Sequence, residues 1–110
     1  MKVLKQMKFI QVKPIMSNGT SFQGNIDESY QKLKKVFGPA NSNGDGHKVD
    51  VEWILQFEDG TIATIYNYKN GRNYLGSEGL PKTKIEDWHV GGYSEKAVTN
   101  VKKVLNGALH

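Results

Sequence analysis

The sequence predicts an α+β two-layer sandwich: a mainly antiparallel four-stranded sheet, ordered β-α-β-β-β-α, with both helices on one face. Three observations predict it. Asp59-Gly60 joins two apolar-rich runs within VDVEWILQFEDGTIATIYNY, Val49 to Tyr68, which is a strong hairpin signal. Two segments, one before and one after the hairpin, carry single apolar stripes at helical spacing. A further strand pattern, Ile85 to Gly91, leads into the second of these helices.

A two-residue turn at Asp59-Gly60 sets a register. Phe57 then faces Ile62, Leu55 faces Thr64, Ile54 faces Ile65, and Trp53 faces Tyr66. One face carries Val51, Trp53, Leu55, Phe57, Ile62, Tyr66 and Tyr68, and its bulk marks it as the core. The other carries Glu52, Ile54, Gln56, Ala63, Ile65 and Asn67. That face is expected to lie open, with an isolated Ile54–Ile65 pair that two-fold pairing would bury, so a homodimer is expected.

The remaining elements follow in order. Val3 to Lys13 reads as a strand, and its lysines suit a sheet edge. Pro14 to Asn25 reads as loop, with at most a short extended piece at Thr20 to Gly24. A helix is expected from Asp27, with Tyr30, Leu33, Val36 and Phe37 as its stripe and Gly38-Pro39 as its stop. Asn41 to His47 is a glycine-rich polar loop whose spacing lacks the distal acid of an EF-hand. Asn70-Gly71 reads as a second hairpin turn, folding Arg72 to Leu75 back as a strand. In the last strand Trp88 and Val90 join the core, leaving Ile85, Asp87 and His89 on the opposite face. Gly91-Gly92 ends it, and Ser94 caps a helix with Ala97, Val98, Val101, Val104 and Leu105 inward.

Composition narrows the classes. The 110 residues make one domain, 1–110, with 37% hydrophobic and 24% charged residues, a globular rather than disordered balance. There is no cysteine, which removes disulfides, thiolate metal sites and a cysteine nucleophile. No apolar run reaches the length of a membrane span and no signal peptide is read, so a cytoplasmic setting without membrane contact is expected. The net charge of +4 is a mild basic excess that favours anionic partners without marking a nucleic-acid binder.

Motifs of hydrolases, metalloproteases and Walker-type phosphate loops are absent, which leans away from an enzyme, and neither a cofactor nor a metal is implied. Candidate chemistry gathers at two places. Tyr66, Tyr68, Lys69, Arg72 and Tyr74 set aromatic rings beside cations, as base stacking and phosphate contacts require, although Tyr66 also reads as core. Trp88, His89, Gly91 and Gly92 set an imidazole beside a strand-to-helix turn whose amides can meet an anion. Apart from Tyr66, these residues, eight in all, are the expected ligand site, converging near one sheet edge.

The phrases Phe37-Gly38, VDVEWILQFEDGTIATIYNYK at Val49 to Lys69, Trp88-His89-Val90-Gly91-Gly92 and the helix from Ser94 cover about two-thirds of the chain. In these the sequence resembles a group of small tailed-bacteriophage proteins. The segment Asn70 to Lys84 is longer and less acidic than such proteins carry. The resemblance implies a phage accessory protein of the infected bacterial cytoplasm, in the counter-defence class. Four functions compete: capture of a small anionic ligand such as a cyclic nucleotide signal, inhibition of a host protein through the open face, nucleic-acid binding, and phosphodiester chemistry using His89 with Glu52 or Asp87.

Overall fold

The computed structural model describes residues 7–107. The chain runs β1 (Phe9–Gln11), β2 (Ser21–Asp27), α1 (Tyr30–Phe37), β3 (Glu52–Phe57), β4 (Ile62–Tyr66), the single turn α2 (Arg72–Leu75), β5 (Asp87–Gly92) and α3 (Lys96–Gly107). One antiparallel sheet of five strands holds them in the order β1-β3-β4-β5-β2. The α+β class stands as expected, with α1 and α3 sharing one core. The sheet has one strand more than the sequence suggested, and there is a third, short helix.

That extra strand is β2, expected as loop. Gly24, Gln23 and Asn25 are poor strand formers, so local propensity hides it. It is held instead by pairing along β5, from Ser21↔Gly92 to Asp27↔Asp87. Because β2 runs to Asp27, α1 starts later than expected. Ser29 is its cap: the Ser29 hydroxyl accepts the Lys32 N–H at 3.0 Å. Gly38, at φ +87°, ends it where the sequence placed the stop. The described part of the first strand is only Phe9–Gln11, at a sheet edge as its lysines suggested; Val3 to Gln6 of the expected strand lie outside the described residues.

The central hairpin forms, but its turn has three residues rather than two. Phe57 N–H bonds Thr61 O at 2.9 Å, Gly60 N–H bonds Phe57 O at 2.8 Å, and Gly60 takes φ +88°. This is the three-residue loop in which glycine occupies the left-handed position. The register moves by one: Leu55 faces Ala63, Ile54 faces Thr64, Trp53 faces Ile65 and Glu52 faces Tyr66. A one-residue slip moves a whole strand to the other face. Ala63 and Ile65 therefore join Trp53 in the core, whereas Ile62, Thr64 and Tyr66 lie on the opposite face with Ile54. Tyr66 and Tyr68 are not core residues.

The core packs Trp53 and Trp88 edge to face at 5.5 Å, under Leu33 and Phe37 of α1 and Val101 and Leu105 of α3. Each indole N–H is satisfied, Trp53 by Gly38 O at 2.7 Å and Trp88 by Glu28 O at 2.8 Å. Ile85 precedes β5 and is fully buried in this core, not on the His89 face. Gly92 also faces the helices; a Cβ there would come within 2.5 Å of Ala97 Cβ, so α3 approaches the sheet closely.

The face away from α1 and α3 is not open along its length. A 3-10 turn, Pro14–Ser17, lies over β3 and β4, and Ile54 beneath is fully buried. The Tyr93 hydroxyl pins that turn, donating to Asn18 O at 2.5 Å with Met16 O also within reach at 3.1 Å. With Ile54 covered and Ile65 in the core, the expected Ile54–Ile65 dimer patch does not exist.

Trp53→Ala is expected to destabilise the fold by about 3–5 kcal/mol, the usual range for removing a buried large aromatic. An unchanged denaturation midpoint would contradict the packing described.

Candidate functional site

The uncovered end of the helix-free face carries a row of directly opposed residues. Glu52 on β3 faces Tyr66 on β4, Tyr66 faces His89 on β5, and His89 faces Asn25 on β2. Strand alternation puts all four side chains on this face.

Three rings surround the half-buried imidazole. Tyr68 stacks on His89 at 5.1 Å and 24°, Tyr66 meets it edge-on at 5.5 Å, and Phe22 lies at 4.6 Å. Phe22 reaches it because of a β-bulge. The pairing of β2 with β5 skips Gln23, passing from Phe22↔Gly91 to Gly24↔Val90. Gly24 faces α3, where a Cβ would touch Val98, so the inserted residue turns Phe22 to the opposite face. Gly91 makes room in the next row: a Cβ there would sit 2.5 Å from Thr64 Oγ1 and 3.4 Å from the Tyr66 ring.

The cluster continues past the end of β4. Lys69 Nζ lies 5.2 Å from the Tyr68 ring and 5.5 Å from the Tyr74 ring, and His47 lies 5.4 Å from Tyr74. Lys69 has φ +61°, the one non-glycine positive φ among the described residues. That conformation costs an L-residue about 1–2 kcal/mol. Its amide is held by Lys48 O at 2.8 Å.

A buried asparagine organises this end of the sheet. Asn67 Oδ1 accepts the N–H groups of Asp50 at 2.8 Å and Val51 at 3.1 Å, and its amide donates to Asp50 Oδ1 and Asn70 Oδ1. Asp50 Oδ2 also accepts the Asn73 N–H, at the start of α2. This network holds Arg72 to Leu75 as a helical turn in place of the expected strand. In the Asn41 to His47 loop, Asp45 Oδ1 accepts three N–H groups, from His47, Lys48 and Val49. Those bonds, the His47 N–H foremost, hold the Asp45 carboxyl below its usual range. Among the described residues no three His, Asp or Glu side chains gather as metal ligands.

Burial favours neutral forms along the row. It pushes the Glu52 carboxyl up, against the Ser42 hydroxyl that donates to it at 3.2 Å. It pushes the Tyr66 phenol up, with Glu52 and Tyr68 adding to the effect. It pushes the His89 imidazole below its ordinary 6.5, against the opposing pull of Asp87. At neutral pH His89 is thus an uncharged imidazole with one donor and one acceptor nitrogen. The arrangement offers aromatic rings, a neutral hydrogen-bonding ring and a lysine cation beside them.

Of the eight expected site residues, the structure brings together Tyr68, Lys69, Tyr74 and His89, with Gly91 in the adjoining row. Trp88 and Gly92 face the helices instead. Arg72 shares α2 with Tyr74, but two residues along a helix turn roughly 200°, so it leaves from the other side. Gly91 and Gly92 are paired strand residues. The α3 N-terminus lies at the opposite end of β5, where Lys96 pairs with Asp59 at 3.6 Å, so its amides do not meet His89. Phe22 and His47 complete the cluster without having been expected there, and Tyr66, which the sequence also offers beside these cations but assigns to the core, joins it. Of the described grooves, those of about 310 and 270 Å³ lie elsewhere, and that of about 300 Å³ meets the row only at Asn25.

The chain matches no protein-family model, and no curated protein matches it. No described helix is long and apolar enough to cross a membrane.

His89 is expected to titrate below 6.5, and Asp87→Asn to lower it further by removing the opposing charge. NMR titration of the imidazole protons reads both. Between the lowered folded value and 6.5 the unfolded chain binds the extra proton. His89 therefore contributes stability that is fully present above 6.5 and is lost as pH falls through that window. Asn67→Ala should cost about 1–3 kcal/mol for each buried N–H it leaves unbonded, read by urea denaturation.

Proposed function

We propose that this chain is a non-enzymatic binding protein that captures a small anionic ligand bearing an aromatic base, of the cyclic-nucleotide type. The observation that carries the reading is the placement of Lys69 Nζ between the Tyr68 and Tyr74 rings, with Tyr68 stacked on His89. Tyr68, Tyr74 and Phe22 are all exposed, so their rings are within reach of a base. Base stacking on an aromatic side chain is worth about 1–3 kcal/mol. Lys69 then meets the phosphate, and His89, uncharged, gives or takes a hydrogen bond with the base edge. The resemblance to small tailed-phage proteins supplies the setting: an accessory, counter-defence role in the cytoplasm of the infected bacterium, with the ligand a signal of host defence.

A second reading, inhibition of a host protein, is favoured by exposed Ile10, Ile15 and Met16 on and beside the 3-10 turn. Exposed apolar side chains of this kind suit a protein partner.

The test pairs mass spectrometry of small molecules released from the denatured protein with a thermal-shift screen of cyclic di- and trinucleotides. Binding to the folded state alone stabilises by about 2.7 kcal/mol at a hundredfold excess over Kd. Tyr68→Ala is expected to weaken binding roughly five- to a hundredfold, the equivalent of one lost stack. Lys69→Gly is expected to leave the denaturation midpoint unchanged or raised, because glycine adopts this φ without strain, while affinity falls. No shift with any nucleotide would turn the assignment to the protein-partner reading.

A further inference from the structure

We infer that a second copy of this chain pairs antiparallel with the free edge of β2, joining two five-stranded sheets into one. This goes beyond the ligand reading and does not depend on it. The two sheet edges differ. β1 has three residues, is flanked by Lys8, Lys13 and Pro14, and so carries the charge and proline that block pairing. β2 has seven residues, Ser21–Asp27, with neither lysine nor proline.

Its backbone orientation is fixed by one bond. Glu28 N–H donates to Glu86 O at 2.9 Å, and in an antiparallel ladder alternate residues share that direction. Glu28, Ile26 and Gly24 therefore point their backbone groups at β5, and Asn25 and Asp27 point theirs outward. Both are exposed, and among the described residues no loop or side-chain group bonds their N–H or C=O. The bulge at Gln23 ends the regular edge on the other side.

The outward pair is self-complementary in one register. A two-fold axis at Ile26 sets Asn25 opposite Asp27 of the second copy, twice, with N–H and C=O exchanged within each pair. An axis at Asp27 would oppose two carboxylates, and an axis at Asn25 would run Asp27 against the bulge. In the Ile26 register an amide faces a carboxylate across the junction. On the helix side, a groove of about 300 Å³ lined by Ile26, Leu105, Lys102 and Asn106 leaves room beside Ile26 for side chains of the added strand.

Analytical ultracentrifugation of the full chain at high micromolar concentration tests this, with Asn25→Asp and Asn25→Pro. Asn25→Asp sets acid against acid at both pairs. Asn25→Pro removes an outward N–H, the position where an edge strand tolerates proline. Circular dichroism confirms folding of each, and Asn25→Asp decides if the proline variant does not fold. The expected result is a mass of twice 12.3 kDa for the unaltered chain and 12.3 kDa for the folded variants. Hydrogen exchange at the Asn25 and Asp27 amides should slow as concentration rises. A monomer for the unaltered chain, or a dimer that survives Asn25→Asp, would overturn the inference.

Discussion

Where Gly60 falls in the hairpin turn decides which side of β4 is core. With glycine in the left-handed position of a three-residue loop, Ala63 and Ile65 turn inward and Tyr66 turns out. The turn is tied at both ends. Asp59 Oδ1 accepts the Thr61 N–H at 3.0 Å, and the Asn100 amide of α3 donates to both Asp59 oxygens at 3.2 and 3.0 Å. Those bonds, the Thr61 N–H foremost, hold the Asp59 carboxyl well below its usual range. The turn thus docks the last helix while setting the register, and it is what turns Tyr66 onto the face that Glu52 and His89 share.

The legible parts of the chain were those whose signals are local and redundant. The stripe of α1, its Gly38 stop, the α3 stripe and the two tryptophans each announce burial by periodicity. The register was not legible, because Asp-Gly serves both two- and three-residue loops, and the choice between them depends on packing. Bulk misled as well. Tyr66 and Tyr68 look like core residues beside Trp53, but it is the smaller Ala63 and Ile65 that are fully buried there.

The site was half legible for the same reason. Tyr68, Lys69, Tyr74 and His89 were found by chemistry alone, since aromatic rings beside cations are visible in any reading frame. Phe22 was hidden by a bulge that no propensity marks, in a strand that no propensity marks either. Arg72 has the right charge and Trp88 adjoins His89, yet a helical turn sends one away and strand alternation buries the other.

The bulge at Gln23 separates two uses of one strand. Before it, Phe22 is turned across the sheet onto His89 and belongs to the aromatic face. After it, Asn25 and Asp27 present a short, regular edge. The surfaces touch at Asn25, whose amide donates to Asp87 at 3.1 Å beside His89. Pairing at the edge would order Asn25 and Asp87 together, and Asp87 is the charge that opposes burial at His89. Asp87 thus stands where edge and face meet: it accepts the Asn25 amide and its charge opposes the burial that lowers His89, the ring on which Tyr68 stacks.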